Sequence, residues 1–236
     1  MSLEMKHGID ILYEDNHLII LNKKISDIVQ GDKTGDISMD SKLKAYLKER
    51  DNKPGNVFVG IPHRLDRPVS GAVVFAKTSK ALSRLTEMFR EKQVQKIYHA
   101  ITGNPPEHAE ARLEHYLTRN TKQNKSYCSK TSRTGGKHAV LHYRQIASSD
   151  TYYLFEIELE TGRHHQIRAQ LAAIGCPIKG DLKYGAPRSN RNKGISLHAR
   201  KISFVHPVKK ESLEVLAPYP DGDIFDVFKP FQGVRS

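Results

Sequence analysis

The sequence predicts an α+β protein whose mixed, largely antiparallel sheet is flanked by helices and loops. Short apolar runs bounded by turn residues recur along the chain, which is typical of strands. Only three stretches space their apolar residues as an amphipathic helix does. Many short strands with few helices favour an antiparallel sheet over alternating strand and helix units.

The first part of the chain is predicted to contain four strands and two helices. Residues 26–39 and 51–56 are rich in Gly, Asp, Asn and Ser and are predicted to be loops. Thr78 or Ser79 can cap the second helix. The strands are predicted at 9–13, 17–22, 57–61 and 72–77, and the first helix at 39–50.

The second part is predicted to contain five strands, one helix and an irregular region at 104–136. Residues 119–136 contain many Lys, Ser, Thr, Asn and Gly, which indicates an exposed basic loop or ribbon. Gly175 is predicted to end the helix. The strands are predicted at 94–103, 139–146, 152–160, 196–204 and 213–217, the helix at 164–174 and a loop at 180–194.

Charge gives the first indication of a partner. The formal net charge of the 236-residue chain is +12 and its pI is about 9.6. Residues 112–144 contain eight Lys and Arg against the single acid Glu114, and residues 162–202 contain nine against Asp181. Clustered cations attract polyanions, of which nucleic acid is the commonest. The alternative is a solvated basic surface that keeps the protein in solution.

The cysteines and the hydropathy pattern indicate the compartment. Cys128 and Cys176 are far apart and form no CxxC motif, so a zinc ribbon is unsupported and a reducing compartment is favoured. No long apolar run is present, so neither a signal peptide nor a membrane span is predicted. We therefore predict a cytoplasmic protein that binds no membrane and no metal.

One candidate for chemistry is a carboxylate in a basic loop. The loop reads His63-Arg64-Leu65-Asp66-Arg67-Pro68-Val69-Ser70-Gly71 and lies between two predicted strands. The flanking arginines favour the ionised form of Asp66. An ionised aspartate can act as a nucleophile, as in many glycosidases. The alternative is an aspartate that the arginines hold for structural reasons.

A second candidate is the start of the helix predicted at 164–174. It is preceded by Gly162, which permits a sharp entry. His164 and Arg168 are four residues apart and are expected to share a helix face. A helix N-terminus favours anions, and arginine adds a bidentate fork for a carboxylate or phosphate. The alternative is an ordinary basic helix start.

Four motifs in order resemble the RluA-type pseudouridine synthases. The loop at 63–71, followed by Ala76-Lys77, resembles their central H-R-L-D-x-x-T/V-S-G…A-K signature. The other three are Lys96-Ile97-Tyr98-His99-Ala100, the segment 160–168 continuing to Gly180-Asp181 and Tyr184-Gly185, and Leu197-His198-Ala199 with His206-Pro207. The resemblance spans residues 10–210 and implies the pseudouridine synthase fold.

The resemblance implies one catalytic domain over residues 1–236, with the motifs within 10–217 and no S4-like domain before them. Three departures stand out. The early segment usually reads K-P-x-G-x-x-V, whereas residues 23–29 lack the Pro and the Gly. Gln170 stands where His is usual, and Val69 where Thr is commoner. The first departure bears on substrate choice, because that segment shapes the mouth of the site.

The resemblance also implies an activity, the isomerisation of uridine in RNA. Asp66 would be the essential carboxylate, Arg168 would pair with it, and Tyr98 would stack on the uracil. The nucleotide would be flipped out of its stack. No cofactor is implied. The remaining candidates contact the substrate or support the site: Arg64 in the gap left by the base, Leu197 under it, and His63, Lys77 and His164.

The basic region then has a role in RNA binding. Lys122, Lys125, Lys130 and Arg133 could hold phosphates of a stem beside the flipped base. Ribosomal RNA is the commoner target in the family, although transfer RNA stays open, and we expect a monomer. Two alternatives are an RNA-binding protein of the same fold without activity and a metal-dependent hydrolase or nuclease built around Asp66.

Overall fold

The computed structural model describes residues 2–32, 34–132 and 135–233, which form two compact units. The first unit comprises Met1–Gln95 and Ala199–Pro218, and the second comprises Lys96–His198 and Tyr219–Ser236. The prediction of a single catalytic domain stays a prediction. No helix among these residues is both long and apolar enough to cross a membrane.

The elements follow one another in a mixed order. The helices are α1 (Leu3–His7), α2 (Met39–Arg50), α3 (Ser79–Arg90) and α4 (Gln166–Ala173), with 3₁₀ segments at Leu182–Tyr184 and Ile224–Gly233. The strands are β1 (Ile11–Glu14), β2 (Leu18–Lys23), β3 (Ser70–Ala76), β4 (Gln95–Thr102), β5 (Glu110–Asn120), β6 (Lys125–Ser129), β7 (Lys137–Ser148), β8 (Tyr153–Leu159), β9 (Leu197–Val205) and β10 (Ser212–Leu216).

The first unit is built around β3. The strand order is β1-β2-β3-β9, with β10 on β9, and the β1–β2, β2–β3 and β9–β10 pairs are antiparallel. All seven residues of β3 are buried. Leu18 and Ile20 of β2 pack with Val74 of β3 and with Leu85 of α3 in one apolar cluster. This cluster fixes β3, which follows the Asp66 loop.

The second unit contains the strand order β4-β8-β7-β5-β6, and the β4–β8, β8–β7, β7–β5 and β5–β6 pairs are antiparallel. Helix α4 covers one face of this sheet, where Ala169 packs with Leu117 of β5 and Ala139 of β7. A separate cluster joins Ile101 and Leu154 to Phe225 of the last 3₁₀ segment. The prediction of an α+β fold with largely antiparallel pairing is confirmed.

Two predicted elements match closely and one predicted strand is wrong. Helix α2 has the predicted bounds, and α3 begins with the hydroxyl of Thr78 accepting from the amide of Ala81 (3.2 Å). Residues 57–61 form no strand. Only Gly60 pairs with β3, by two hydrogen bonds to Ala76. Because β2 and β9 occupy the two edges of β3, residues 57–61 can pair only with the end of β3.

Two strands, β5 and β6, are missing from the list of predicted strands. Residues 104–136 were expected to be irregular, yet β5 runs through them and pairs with both β6 and β7. Its pattern alternates, because Leu113, His115 and Leu117 are buried and their neighbours point outward. A histidine in the apolar series and charged residues between them obscure that period. Residues 119–136 were predicted to form an exposed basic loop or ribbon, and the part at 119–129 forms a ribbon in which β5 pairs with β6.

Candidate active site

The motif around Asp66 forms a tight turn in the first unit. The backbone amide of Val69 donates to the carbonyl oxygen of Asp66 (N···O 3.0 Å), which closes the turn over Arg67 and Pro68. The turn leads directly into β3, which begins at Ser70. The Asp66 residue is half-buried. Its carboxylate is therefore carried by a short turn anchored on a buried strand, which holds a side chain more precisely than a long loop does.

A buried lysine, Lys23, holds the backbone of this turn by hydrogen bonds. The Nζ of Lys23 donates to the carbonyl oxygens of Lys24 (3.0 Å), Arg67 (3.0 Å) and Val69 (2.6 Å). An ammonium group has three donors and no acceptor, so its hydrogen-bonding capacity is filled by these three carbonyls. Lys23 thus ties the backbone that follows Asp66 to the end of β2.

The charge of Lys23 is balanced by nearby acids. Only 1% of the residue is exposed. Burial lowers the pKa of Lys23 from 10.5 to about 8, and the charges of Asp27 and Asp66 oppose this decrease. The sequence reasoning assigned no role to Lys23, although the motif that contains it was recognised.

The segment that departs from the family pattern contains a left-handed residue at the position of the usual glycine. Ser26 stands where glycine is usual, and its φ of +76° lies in the left-handed region. Its amide donates to the carbonyl of Arg67 (3.1 Å), and Nε of Arg67 donates to the carbonyl of Ser26 (3.3 Å). Arg67 also pairs with Asp36. The missing glycine has therefore not removed the turn.

His63 and Lys77 bind other parts of the first unit. The backbone amide of Val74 donates to Nε2 of His63 (3.1 Å), whose ring stacks on Phe89 at 4.6 Å between centroids. Lys77 donates to the carboxylate of Glu14 (2.5 Å). These contacts are what a supporting role requires. Their proposed place near the RNA stays a prediction.

The two ends of the motif differ in exposure. Arg64 is exposed, so its guanidinium is accessible to solvent. Gly71 is buried and has a φ of +114°. A Cβ atom at Gly71 would lie 2.3 Å from the carbonyl oxygen of Ala199 in β9. Only glycine allows β9 to approach β3 so closely.

Tyr98 and Leu197 both belong to the second unit and lie in strands. Tyr98 lies in β4 opposite Ile157 of β8 and is 8% exposed. Leu197 is the first residue of β9 and is 4% exposed. The next residue, His198, meets the ring of Tyr219 edge-on at 5.5 Å between centroids. Both predicted site residues are thus held by regular structure and packing.

Arg168 is held by a buried carboxylate of the second unit. Its Nε and Nη2 donate to the two oxygens of Asp181 at 2.6 and 2.9 Å, and the side chains are 6% and 1% exposed. This bidentate arrangement fixes the plane of the guanidinium. From the sequence, Asp181 was noted as the single acid within residues 162–202 and as part of a family motif, with no role assigned to it. Its role as the anchor of Arg168 could have been suspected because a buried arginine needs a counter-charge.

The start of α4 corrects one prediction. The helix begins at Gln166, and His165 before it has a φ of +53°. His164 therefore lies outside the helix and does not share a helix face with Arg168. Its ring stacks on that of His165 at 3.8 Å between centroids, whereas adjacent helical residues would point apart. The left-handed residue is His165 and not Gly162, which explains why the spacing argument failed.

The predicted phosphate-binding lysines lie on the basic hairpin, which we define as residues 119–130. This range includes the end of β5, the turn after it and the whole of β6. Lys122 and Lys130 are exposed and Lys125 is half-buried. The Nζ of Lys125 lies 5.4 Å from the ring centroid of Tyr127. Arg133, also predicted to bind RNA, lies outside the described residues. An exposed aromatic ring among lysines suits contact with nucleic acid.

The candidate residues supply a carboxylate on Asp66 in the first unit, and a phenol on Tyr98 and a fixed guanidinium on Arg168 in the second unit. Within residues 2–32, 34–132 and 135–233, no three His, Cys, Asp or Glu side chains are grouped so that they could hold a metal ion. The model of one family, described as RNA pseudouridylate synthase, matches residues 17–173. The chain belongs to this family.

Relatives and solved structures agree with this assignment. The chain is 36% identical over 218 residues to an uncharacterized RNA pseudouridine synthase of Bacillus subtilis, YhcT, covering 90% of this chain and 69% of that protein. It is 33% identical over 233 residues to ribosomal large subunit pseudouridine synthase D of Neisseria meningitidis, covering 92% of this chain and 60% of the relative.

A third relative and one solved structure show how much of each protein this chain matches. The chain is also 35% identical to an uncharacterized RNA pseudouridine synthase of Synechocystis, slr1629, covering 90% of this chain and 66% of that protein. The chain therefore spans about two thirds of the length of these relatives. The solved structure of human RNA pseudouridylate synthase domain containing 4 superposes with a TM-score of 0.75 at 24% identity, covering 90% of this chain and 89% of that one. It shares the fold.

Proposed function

We propose that this protein is an RNA pseudouridine synthase that isomerises uridines in structured RNA and acts through Asp66. One observation carries the proposal. The family match over residues 17–173 contains Asp66, Tyr98 and Arg168, which are the three residues that the resemblance makes catalytic. An RNA-binding protein without activity would have no need to keep all three.

The proposed reaction breaks the bond between C1′ and N1 of uridine, turns the uracil and joins C1′ to C5. The Asp66 carboxylate is the essential group, either as a nucleophile at the sugar or as a base. Arg168 orients that carboxylate, and Tyr98 stacks on the uracil and assists removal of the C5 proton. The target nucleotide is flipped out of its stack, which costs about a few kcal/mol. Its reactants and products have the same oxidation state, so no redox cofactor is needed.

Ribosomal RNA is the proposed substrate class, ahead of transfer RNA. A relative named ribosomal large subunit pseudouridine synthase matches 92% of this chain. The exposed lysines of the basic hairpin support contact with a structured RNA. Contacts to phosphates position a folded RNA on the protein and do not depend on the RNA sequence. We further propose a monomer that works in the cytoplasm.

The test is release of tritium to water from RNA labelled at C5 of uridine. Ribosomal and transfer RNA are each incubated with the wild type, with Asp66→Ala and with a control variant, Asp150→Ala. Asp150 is an exposed acid in the turn between β7 and β8. We expect release from ribosomal RNA by the wild type and the control, and none by Asp66→Ala. Release by Asp66→Ala at the wild-type rate would refute the proposed role of this carboxylate.

Two other outcomes separate the alternatives. A folded wild type that binds RNA but releases no tritium from either RNA class would favour a binding protein without activity. Release from transfer RNA alone would overturn the ribosomal assignment and leave the chemistry intact.

A further inference from the structure

The residue that precedes helix α4, His165, has a left-handed backbone conformation. His165 is neither glycine nor asparagine, yet its φ and ψ are +53° and +27°, and it is 8% exposed. Residues in this region are costly, and they concentrate at functional sites. The conformation turns the imidazole of His165 toward Arg168, and Nε2 lies 3.0 Å from Nη1 of the guanidinium.

The contact with Arg168 identifies the tautomer of His165. A guanidinium can only donate, so Nε2 must accept from Arg168. The ring proton is then on Nδ1, which lies 3.0 Å from the phenol oxygen of Tyr184. Burial and the charge of Arg168 lower the pKa of His165 to about 2, which keeps the ring neutral. Nδ1 therefore donates to Tyr184.

Tyr184 is the point at which the basic hairpin joins this network. Its phenol oxygen also accepts from the backbone amide of Ser126 in β6 (2.8 Å). Its ring lies between two cations, since the centroid is 5.1 Å from Cζ of Arg168 and 5.2 Å from Nζ of Lys125. One side chain thus contacts both the hairpin and Arg168.

Further hydrogen bonds attach the hairpin to the same segments. The Oγ of Ser126 donates to the carbonyl of His164 (2.7 Å), and Oδ1 of Asn124 lies 3.1 Å from Nε2 of His164. The Nζ of Lys183 donates to the carbonyls of Gln123 (3.3 Å) and Asn124 (3.1 Å). The turn that carries Lys122 therefore cannot move without disturbing the residues around Arg168.

We propose that Tyr184 and His165 are positioning residues that hold Arg168 in register with the basic hairpin. The inference rests on the proposed function. RNA phosphates held by the hairpin and the guanidinium of Arg168 are then kept in one fixed geometry within the second unit. Asp181 fixes the plane of the guanidinium from one side, and His165 fixes its remaining nitrogen from the other.

The first test uses Tyr184→Phe, which keeps the ring and its contacts with the cations but removes the oxygen that joins Ser126 to His165. We expect the single-turnover rate of tritium release to fall about tenfold, because small errors of placement cost this much or more. The affinity for RNA should be unchanged. The control is Tyr143→Phe in β7 of the same unit, whose hydroxyl donates to the carbonyl of His108 (3.0 Å) outside this network and should be dispensable.

A second variant and a second measurement distinguish the proposed positioning role from misfolding of Tyr184→Phe. They also test the network independently of the enzymatic activity. His165→Asn keeps a residue that tolerates the left-handed region. It should lower the rate while the Ser126 amide stays protected from hydrogen exchange. In the wild type, nitrogen NMR should show His165 neutral and protonated on Nδ1, and Tyr184→Phe should speed exchange of the Ser126 amide.

Several results would overturn the inference. They are a wild-type rate in folded Tyr184→Phe, a His165 protonated on Nε2, or an unchanged exchange rate of the Ser126 amide in Tyr184→Phe. A wild type that releases no tritium but shows the expected tautomer and exchange would contradict the proposed function, while the hydrogen-bonded network would stand.

Discussion

Ser26 occupies a backbone conformation that suits glycine. Its φ is +76°, and the residue is exposed, so no packing compensates. A left-handed residue with a Cβ costs roughly 1–2 kcal/mol, part of which the flexibility of glycine in the unfolded chain offsets. We therefore expect Ser26→Gly to raise the free energy of unfolding by about 0.5–1 kcal/mol. Chemical denaturation measures this change.

The control for Ser26→Gly is the same substitution at an exposed position with ordinary backbone. Ser2 caps α1 with a φ of −64°. A glycine at an N-cap costs only a few tenths of a kcal/mol, so Ser2→Gly should leave stability nearly unchanged or slightly lower it. If Ser26→Gly were destabilising, the strain assigned to Ser26 would be wrong.

Lys23 is the residue whose loss should disturb the Asp66 turn most. Replacement by Met preserves the length of the side chain but leaves three carbonyl oxygens without their donor. Each such group costs about 1–3 kcal/mol when buried, so we expect Lys23→Met to lower the free energy of unfolding by at least about 2 kcal/mol. Lys24→Met, at the exposed neighbouring lysine, is the matched control. Equal stability of the two variants would contradict this prediction.

The pKa of Lys23 also predicts a dependence of stability on pH. The pKa falls from 10.5 to about 8 on folding. Between these values the unfolded chain binds more protons at this site than the folded protein does. Stability conferred at this site therefore rises with pH through this window and is constant below it. Subtracting the pH profile of Lys23→Met from that of the wild type should isolate this rise, and a fall in the same window would contradict it.

At the scale of elements, the basic hairpin is predicted to bind phosphate. Lys122 is exposed in its turn and makes an electrostatic contact that carries no sequence information. We expect Lys122→Ala to weaken binding to ribosomal and unrelated RNA by similar factors, and to reduce the slope of log affinity against log salt by about 1. Fluorescence anisotropy measures both quantities.

The matched control removes the same charge from the first unit. Lys48 is an exposed lysine of α2. If binding depended only on net charge, Lys48→Ala would weaken it as much as Lys122→Ala does. That result would favour the solvated basic surface over a phosphate-binding hairpin.

The elements show how far the sequence could predict the fold. The apolar strands β2 and β3 were predicted within one or two residues, and the cap of α3 was predicted at Thr78 or Ser79, where Thr78 is found. Strand β5 was missed because its buried face includes a histidine and its outward face is charged. The start of α4 was misplaced because a left-handed histidine has no signal in the spacing of side chains.

The candidate site shows a similar division. Motif residues such as Asp66 and Arg168 could be named from the sequence because they belong to short, ordered patterns. The contacts that support them could not be predicted, because Asp181 and Tyr184, although motif residues, reach Arg168 from a separate segment of the chain. The three carbonyls that hold Lys23 likewise come from two segments. Such contacts depend on the fold and leave no local pattern.

At the scale of the whole molecule, the net charge of +12 predicts that binding and chemistry respond differently to salt. Cations that neutralise phosphates release counterions, and a protein with six to ten such contacts loses about 10³–10⁵ in affinity between about 50 and 200 mM salt. The isomerisation itself depends on placement of a few groups in a bound complex. These groups are screened from salt once the RNA is in place.

We therefore expect the RNA affinities of the wild type and of Asp66→Asn to fall in parallel as salt rises. The single-turnover rate of the wild type at saturating RNA should stay constant over the same range. Anisotropy and rapid-quench tritium release measure the two quantities on one RNA. A rate that fell with salt despite saturation would mean that the bound complex itself is held by exposed charges, and that the buried supports of Asp66 and Arg168 are not sufficient to place them.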